Sequence, residues 1–127
     1  MVPPDCLMGD FKRLAVWQKG HVLSLAVYRA TVRFPGSERF GLTAQIRRAA
    51  VSVISNLAEG CGRGTDRELA RYCRIARGSV NELECQILLA RDLGYLEPTT
   101  WRELDEQTKT VSAMLRILAS SLENRHP

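Results

Sequence analysis

The stretch QIRRAAVSVISNLAEGCGRG, residues 45–64, decides how this chain folds. Turned through about 100° per residue, Ile46, Ala49, Ala50, Val53 and Leu57, with Leu42 just upstream, gather into one apolar stripe. Val51, Ile54 and Ala58 fall on a neighbouring arc that Arg47 shares. A polar file of Gln45, Arg48, Ser52, Asn56 and Glu59 takes what remains. This is the pattern of a helix, and "GCGRG" ends it, with Gly60 in the position just past the C-terminus. One core needs one apolar stripe. The second arc is therefore expected to bury against another copy of the chain, unless the remaining helices wrap further round this one.

Working outward, the same period recurs three more times. Residues 10–33 form a first helix, with Phe11, Leu14, Leu25, Tyr28 and Val32 as its apolar file and His21 partly buried at an intervening turn. "FPGSERFG" breaks it. The second helix is residues 42–59. The third is residues 66–93, with a capping box of Thr65 and Glu68, a soft middle at Gly78-Ser79 and a stop at Gly94. Its core file is Leu69, Tyr72, Cys73, Ala76, Val80, Leu83, Ile87 and Ala90. Cys85, Leu88 and Leu89 project from the opposite side. The fourth is residues 100–122, with a second capping box of Thr100 and Glu103. Leu104, Thr108, Val111, Leu115, Leu118 and Leu122 repeat along it. No strand pattern appears, so the fold class is all-α: an antiparallel up-down-up-down four-helix bundle over 10–123. A flexible arm (1–9) precedes it and a short tail (124–127) follows. Val51, Ile54, Ala58, Cys85, Leu88 and Leu89 are the predicted oligomer interface, because apolar patches on the back of a bundle mark contacts.

At 127 residues the chain is one domain, with 45% hydrophobic and 25% charged residues. No apolar run reaches the roughly 18 residues that span a bilayer, and no signal peptide opens the sequence, so the expectation is cytoplasmic, with no membrane partner. Cys6, Cys61, Cys73 and Cys85 form no CxxC pair, and His21 and His126 lie far apart. Reduced thiols and no metal or other cofactor are expected.

The net charge of +4 is unevenly spread: residues 1–38 carry +2, residues 39–77 carry +5 and residues 78–127 carry −3. Arg63, Arg67, Arg71 and Arg74 share one exposed face at the start of the third helix, with Arg77 close by and Arg47 upstream. Guanidinium groups hold phosphate bidentately, and a row of them can follow a phosphate backbone without reading bases. RNA or DNA is the expected partner; an acidic protein surface fits as well. "GCGRGT" lacks the Gly-Lys-Ser/Thr ending of a P-loop and follows no strand. The polar file is expected to form a structural network of Gln45, Arg48, Asn56 and Glu59 with Ser79 and Glu82 of "GSVNELE". The competing reading is a catalytic carboxylate pair of Glu59 with Glu82 or Glu84. Nothing supplies a nucleophile, a metal or a pocket, so no enzyme is expected.

"FKRLAVWQKG", "FPGSERFGLTAQIRRAAVSVISNLAEG" and "RIARGSVNELECQILLARDLGYL" together resemble the four-helix-bundle proteins encoded in 23S ribosomal RNA intervening sequences. That family is related to the accessory variability determinants of diversity-generating retroelements. Pro35, Glu38, Gly41-Leu42, Gln45, Arg47-Arg48, Ser55-Asn56, Glu59-Gly60, Gly78-Ser79 and Glu82-Leu83-Glu84 carry the resemblance over residues 11–122. It implies a ring-like homopentamer of antiparallel bundles and offers no catalytic residues. The retroelement relatives imply nucleic-acid binding beside a reverse transcriptase; the intervening-sequence branch implies a ribosomal RNA setting. The expected function is a non-enzymatic, oligomeric nucleic-acid-binding protein, and the alternative is a protein–protein adaptor.

Overall fold

The computed structural model describes residues 9–125. Most of the expected N-terminal arm, Cys6 and His126 lie outside the described residues. Within them the chain forms four α-helices and no strand: α1 (Ala15–Thr31), α2 (Leu42–Gly62), α3 (Asp66–Asp92) and α4 (Pro98–Asn124). Short 3-10 turns at Phe11–Arg13 and Gly36–Glu38 precede α1 and α2. Each helix packs on the next, α4 closes back on α1, and the α2–α3 and α3–α4 seams are the most extensive. This is the four-helix bundle that the periodicity predicts. Leu57, Val80, Leu83 and Leu115 are fully buried at its centre.

The apolar stripe of α2 is buried throughout, at Leu42, Ile46, Ala49, Ala50, Val53 and Leu57. So is the whole core file of α3, from Leu69 to Ala90. Along α4, Ala119 and Leu122 are buried whereas Leu118 is half-buried, because 3.6 residues per turn drifts from a strict seven-residue repeat.

α1 sits in a different phase from the expected one. Its buried residues are Val16, Gly20, Leu23, Ser24, Val27 and Thr31. Leu25, Tyr28 and Val32 face outward, and His21 is exposed, stacked on Trp17. The inward polar groups are satisfied: Ser24 Oγ lies 3.0 Å from Gly20 O on its own helix and 3.2 Å from Ala50 O of α2, and Thr31 Oγ1 donates to Val27 O at 2.9 Å. A Cβ on Gly20 would lie 2.9 Å from Ile54 Cγ2, so the glycine sets how closely α1 approaches α2.

The helix ends also differ, α1 (Ala15–Thr31) being shorter at both ends than the expected 10–33. α2 runs through Gly60, which is buried against Tyr72, and the chain turns at Gly64 with φ of 83°. Of the first capping box only half forms: Thr65 Oγ1 accepts from Glu68 N–H at 3.2 Å, while the Glu68 carboxylate turns to Arg71. α4 begins at Pro98 rather than Thr100, since proline's preset φ suits the first helical position. α3 continues without a break through Gly78. It ends in a Schellman motif, with Tyr95 N–H to Ala90 O and Gly94 N–H to Arg91 O at 2.9 and 3.0 Å.

Candidate nucleic-acid interface

The first half of α3 lays Arg67, Arg71, Arg74 and Arg77 on the outside of the bundle, all exposed. Their core-side neighbours Leu69, Tyr72, Cys73 and Ala76 fix that orientation. Arg67 and Arg77 make no ion pair among the described residues. Arg71 Nε lies 2.8 Å from Glu68 Oε2 and its guanidinium carbon stands 4.6 Å from the Tyr72 ring centre. Arg74 pairs with Glu123 of α4. These pairs are solvent-exposed, and such pairs contribute only about 0–1 kcal/mol, so a phosphate can displace the carboxylates.

Arg63 ends α2 and is held by two groups: its Nη2 donates to Glu59 Oε2 at 3.0 Å and to the Tyr72 hydroxyl at 2.9 Å. The Tyr72 hydroxyl in turn donates to the Glu59 carboxylate. That hydrogen bond, then the one from Arg63, holds the Glu59 carboxyl below the usual carboxylate range. Glu59 raises Arg63, as Glu68 raises Arg71. Arg63 therefore locks the α2–α3 turn at one end of the stripe.

Arg47 is not part of the stripe. It folds against α1, with Nε donating to Thr31 Oγ1 at 2.8 Å and the guanidinium carbon 4.7 Å from the Tyr28 ring centre. Arg116 of α4, absent from the predicted set, lines the same crevice of about 130 Å³ as Arg74 and Arg77. It lies in the net-acidic part of the sequence, so summing charge by segment concealed it. The signal that would have found it is antiparallel pairing of α3 with α4.

The predicted polar network is partly made. Ser52 and Ser79 hydroxyls meet at 2.8 Å across the α2–α3 seam, and Asn56 Nδ2 donates to Ser52 O at 2.8 Å and to Ser52 Oγ at 3.0 Å. Glu59 joins Tyr72 and Arg63 instead, and Glu82 accepts from Gln86 at 3.1 Å on its own helix. Gln45 and Arg48 are exposed and stand outside the network. Glu59 faces Tyr72, ten residues from Glu82 on α3 and twelve from Glu84. At 1.5 Å per residue either separation is about 15 Å or more, too far for paired carboxylates to share one reacting group.

The six predicted interface residues separate into three settings. Ile54 and Ala58 are half-buried, with Ile54 against Gly20 of α1. Val51 is 37% exposed and lines a groove on the outward face of α2. Cys85, Leu88 and Leu89 remain together on the outside of the second half of α3, with Leu93 beyond them, all exposed. The apolar arc of α2 thus reads in part as the far side of the α1 contact. Cys61 and Cys73 are buried thiols. No cluster of metal-ligating side chains exists among the described residues, and none of their helices is long and apolar enough to cross a membrane.

A family model described as 23S rRNA-intervening sequence protein matches residues 12–117. No curated protein matches the chain. A solved structure from Bacteroides thetaiotaomicron, described as a protein of unknown function from the S23 ribosomal protein family, superposes with a TM-score of 0.74 at 18% identity. The match covers 83% of this chain and 98% of that one, which shows a shared fold.

Proposed function

This chain belongs to the 23S rRNA-intervening sequence protein family, and from that premise we propose that it is a non-enzymatic, oligomeric protein that binds nucleic acid through phosphate contacts. The observation that carries the reading is the row of four exposed arginines on one face of α3, with Arg116 beside them. Two of the four, Arg67 and Arg77, need no partner displaced. The row is spaced along a rigid helix and has no exposed aromatic beside it, which suits a backbone contact without base readout. Cys85, Leu88 and Leu89 supply the self-association surface. A surface that meets a different surface of the next copy makes a ring when the rotation between copies closes, and five copies is the number the family resemblance implies. An RNA element of ribosomal origin, or the template of a reverse transcriptase, is the setting in which such a ring would act.

The test is the salt dependence of binding to two duplexes of unrelated sequence. The expected result is similar affinity for both, falling steeply with salt. The double variant Arg67→Glu/Arg77→Glu should bind far more weakly, and the slope of log K against log salt should shrink by about 2, one for each lost phosphate contact. Absence of binding at low salt, or binding indifferent to the double variant, overturns the reading. The exposed apolar patch favours one competing function, an adaptor that docks another protein there. Light scattering on Leu88→Glu/Leu89→Glu separates the two. A folded variant of lower mass than wild type supports self-association through α3, and a wild-type monomer points to the adaptor.

A further inference from the structure

On the outward face of α2 a groove of about 560 Å³ runs between α1 and the loop that enters α2. Ala44, Val51, Tyr28 and Phe40 supply its apolar lining. Phe40 is 87% exposed, the most exposed large apolar side chain among the described residues. Arg39, Arg47 and Arg48 line the groove, and no acidic residue does. Thr43 lies against it, 8% exposed, and its buried hydroxyl has no hydrogen-bond partner.

The loop that enters α2 is anchored by a residue that does not line the groove. Glu38, next to Arg39 in sequence, is turned away from it: Oε1 accepts from Leu42 N–H at 3.2 Å and Oε2 from the Tyr95 hydroxyl at 3.0 Å. This anchors the loop and leaves Phe40 in solvent, with the Arg39 guanidinium carbon 5.3 Å from its ring centre. Tyr28 is fixed in turn by Arg47. Exposing an aromatic ring to water on a rigid mount is unfavourable unless something covers it.

We propose that this groove receives an unpaired nucleotide of a nucleic-acid strand. Its base would cover Phe40 and Tyr28, and its phosphate would meet Arg39 and Arg48. Charge and shape together select the occupant: the arginines call for an anion, and the two aromatic rings favour a flat base over the side chain of an acidic peptide. A groove with three arginines and no carboxylate repels a basic peptide and leaves a neutral one with nothing to pair. Aromatic rings beside guanidinium groups are the elements that hold unpaired bases, whatever their sequence. The inference rests on the nucleic-acid reading above and adds to it. The α3 stripe holds a backbone, and the α2 groove selects strands that have a base to give.

The test uses the full chain with two fluorescent probes, a short oligouridylate and a duplex of equal length, followed by anisotropy. Phe40 is solvent-exposed, so Phe40→Ala keeps the fold. It should weaken the single strand about tenfold, as loss of one stacked base does, and leave the duplex within about twofold. Arg48→Gln should act in the same direction. Equal loss on both probes, or none on either, overturns the groove assignment while wild-type binding leaves the stripe intact. If wild type binds neither probe, the nucleic-acid reading itself fails. A drop in mass by light scattering in Phe40→Ala would instead mean that a second copy fills the groove, which also overturns it.

Discussion

The α2–α3 seam and the docking of α1 follow the same apolar periodicity, yet only one of them is legible from it. At the seam, large residues meet large residues: Val53 and Leu57 face a file running through Leu69, Val80 and Leu83, each at most 1% exposed. At α1 the contact is made by Gly20, Ser24 and Thr31 between Val16, Leu23 and Val27, and the larger side chains Leu25, Tyr28 and Val32 look outward. Two phases of one helix were therefore available. Size favoured the wrong one. Close approach favoured the right one, because small residues let backbones come together and their hydroxyls bond back to the preceding turn. Apolar periodicity finds a helix face reliably only where that face is built from bulk.

The contrast is broken or sharpened first by truncating bulk on each side of it. Leu57→Ala and Leu83→Ala should each lower the unfolding free energy by about 2–5 kcal/mol in urea titration. Leu23→Ala, on the inward face of α1, belongs in the same range. If Leu23→Ala were nearly silent, the inner phase of α1 would be wrong.

Glycine gives a smaller and signed comparison. A Cβ at Gly60 would stand 2.6 Å from Tyr72 Cβ, in the tightest part of the seam. Overpacking of that kind costs about 1–3 kcal/mol, more than alanine's helix preference returns. At Gly78 a Cβ would meet nothing within 4 Å. Gly78→Ala should therefore raise stability by roughly 0.5–1 kcal/mol. Opposite signs at two glycines of adjacent helices, read as shifts in thermal midpoint, establish which one is a contact and which is only a soft position.

The same distinction explains what could be seen of the site. The spacing of Arg67, Arg71, Arg74 and Arg77 on one face follows from the helix alone, and the structure places all four there. Their partners do not follow from it. Glu123 reaches Arg74 only because α4 runs antiparallel beside α3, and Arg116 enters by the same route. Arg47, upstream of the row in sequence, is turned onto α1, where it meets Thr31 and Tyr28, and no local pattern announces that contact. Phe40 lies in a stretch whose sequence signals only a helix break, since nothing local says that Glu38 will anchor it.

Acid tests the seam at its turn. Glu59 is held below the usual carboxylate range, first by Tyr72 and then by Arg63. A carboxylate lowered in this way contributes stability at pH above its ordinary value, and the contribution disappears as pH falls through the lowered one. Tyr72→Phe removes the first cause. Its thermal midpoint should therefore fall less than that of wild type between neutral pH and acid. Parallel curves would mean that the Glu59–Tyr72 hydrogen bond does not persist in solution.

The smallest expected effect is the most informative about α1. Leu25 is 42% exposed on the outward face, one turn from Tyr28. Truncating a side chain there removes little buried area, so Leu25→Ala should shift the unfolding free energy by no more than about 0.5 kcal/mol, measured on the monomer in urea. The prediction has force because Leu25 belongs to the file that apolar periodicity selects, where an alanine would cost several times as much. A second measurement, at a concentration where copies associate, separates two explanations of any larger loss. If the loss appears only in the assembly, another subunit covers the outward face of α1. If it appears in the monomer as well, α1 turns its Leu25 face inward in solution, and the close approach through Gly20 does not hold there.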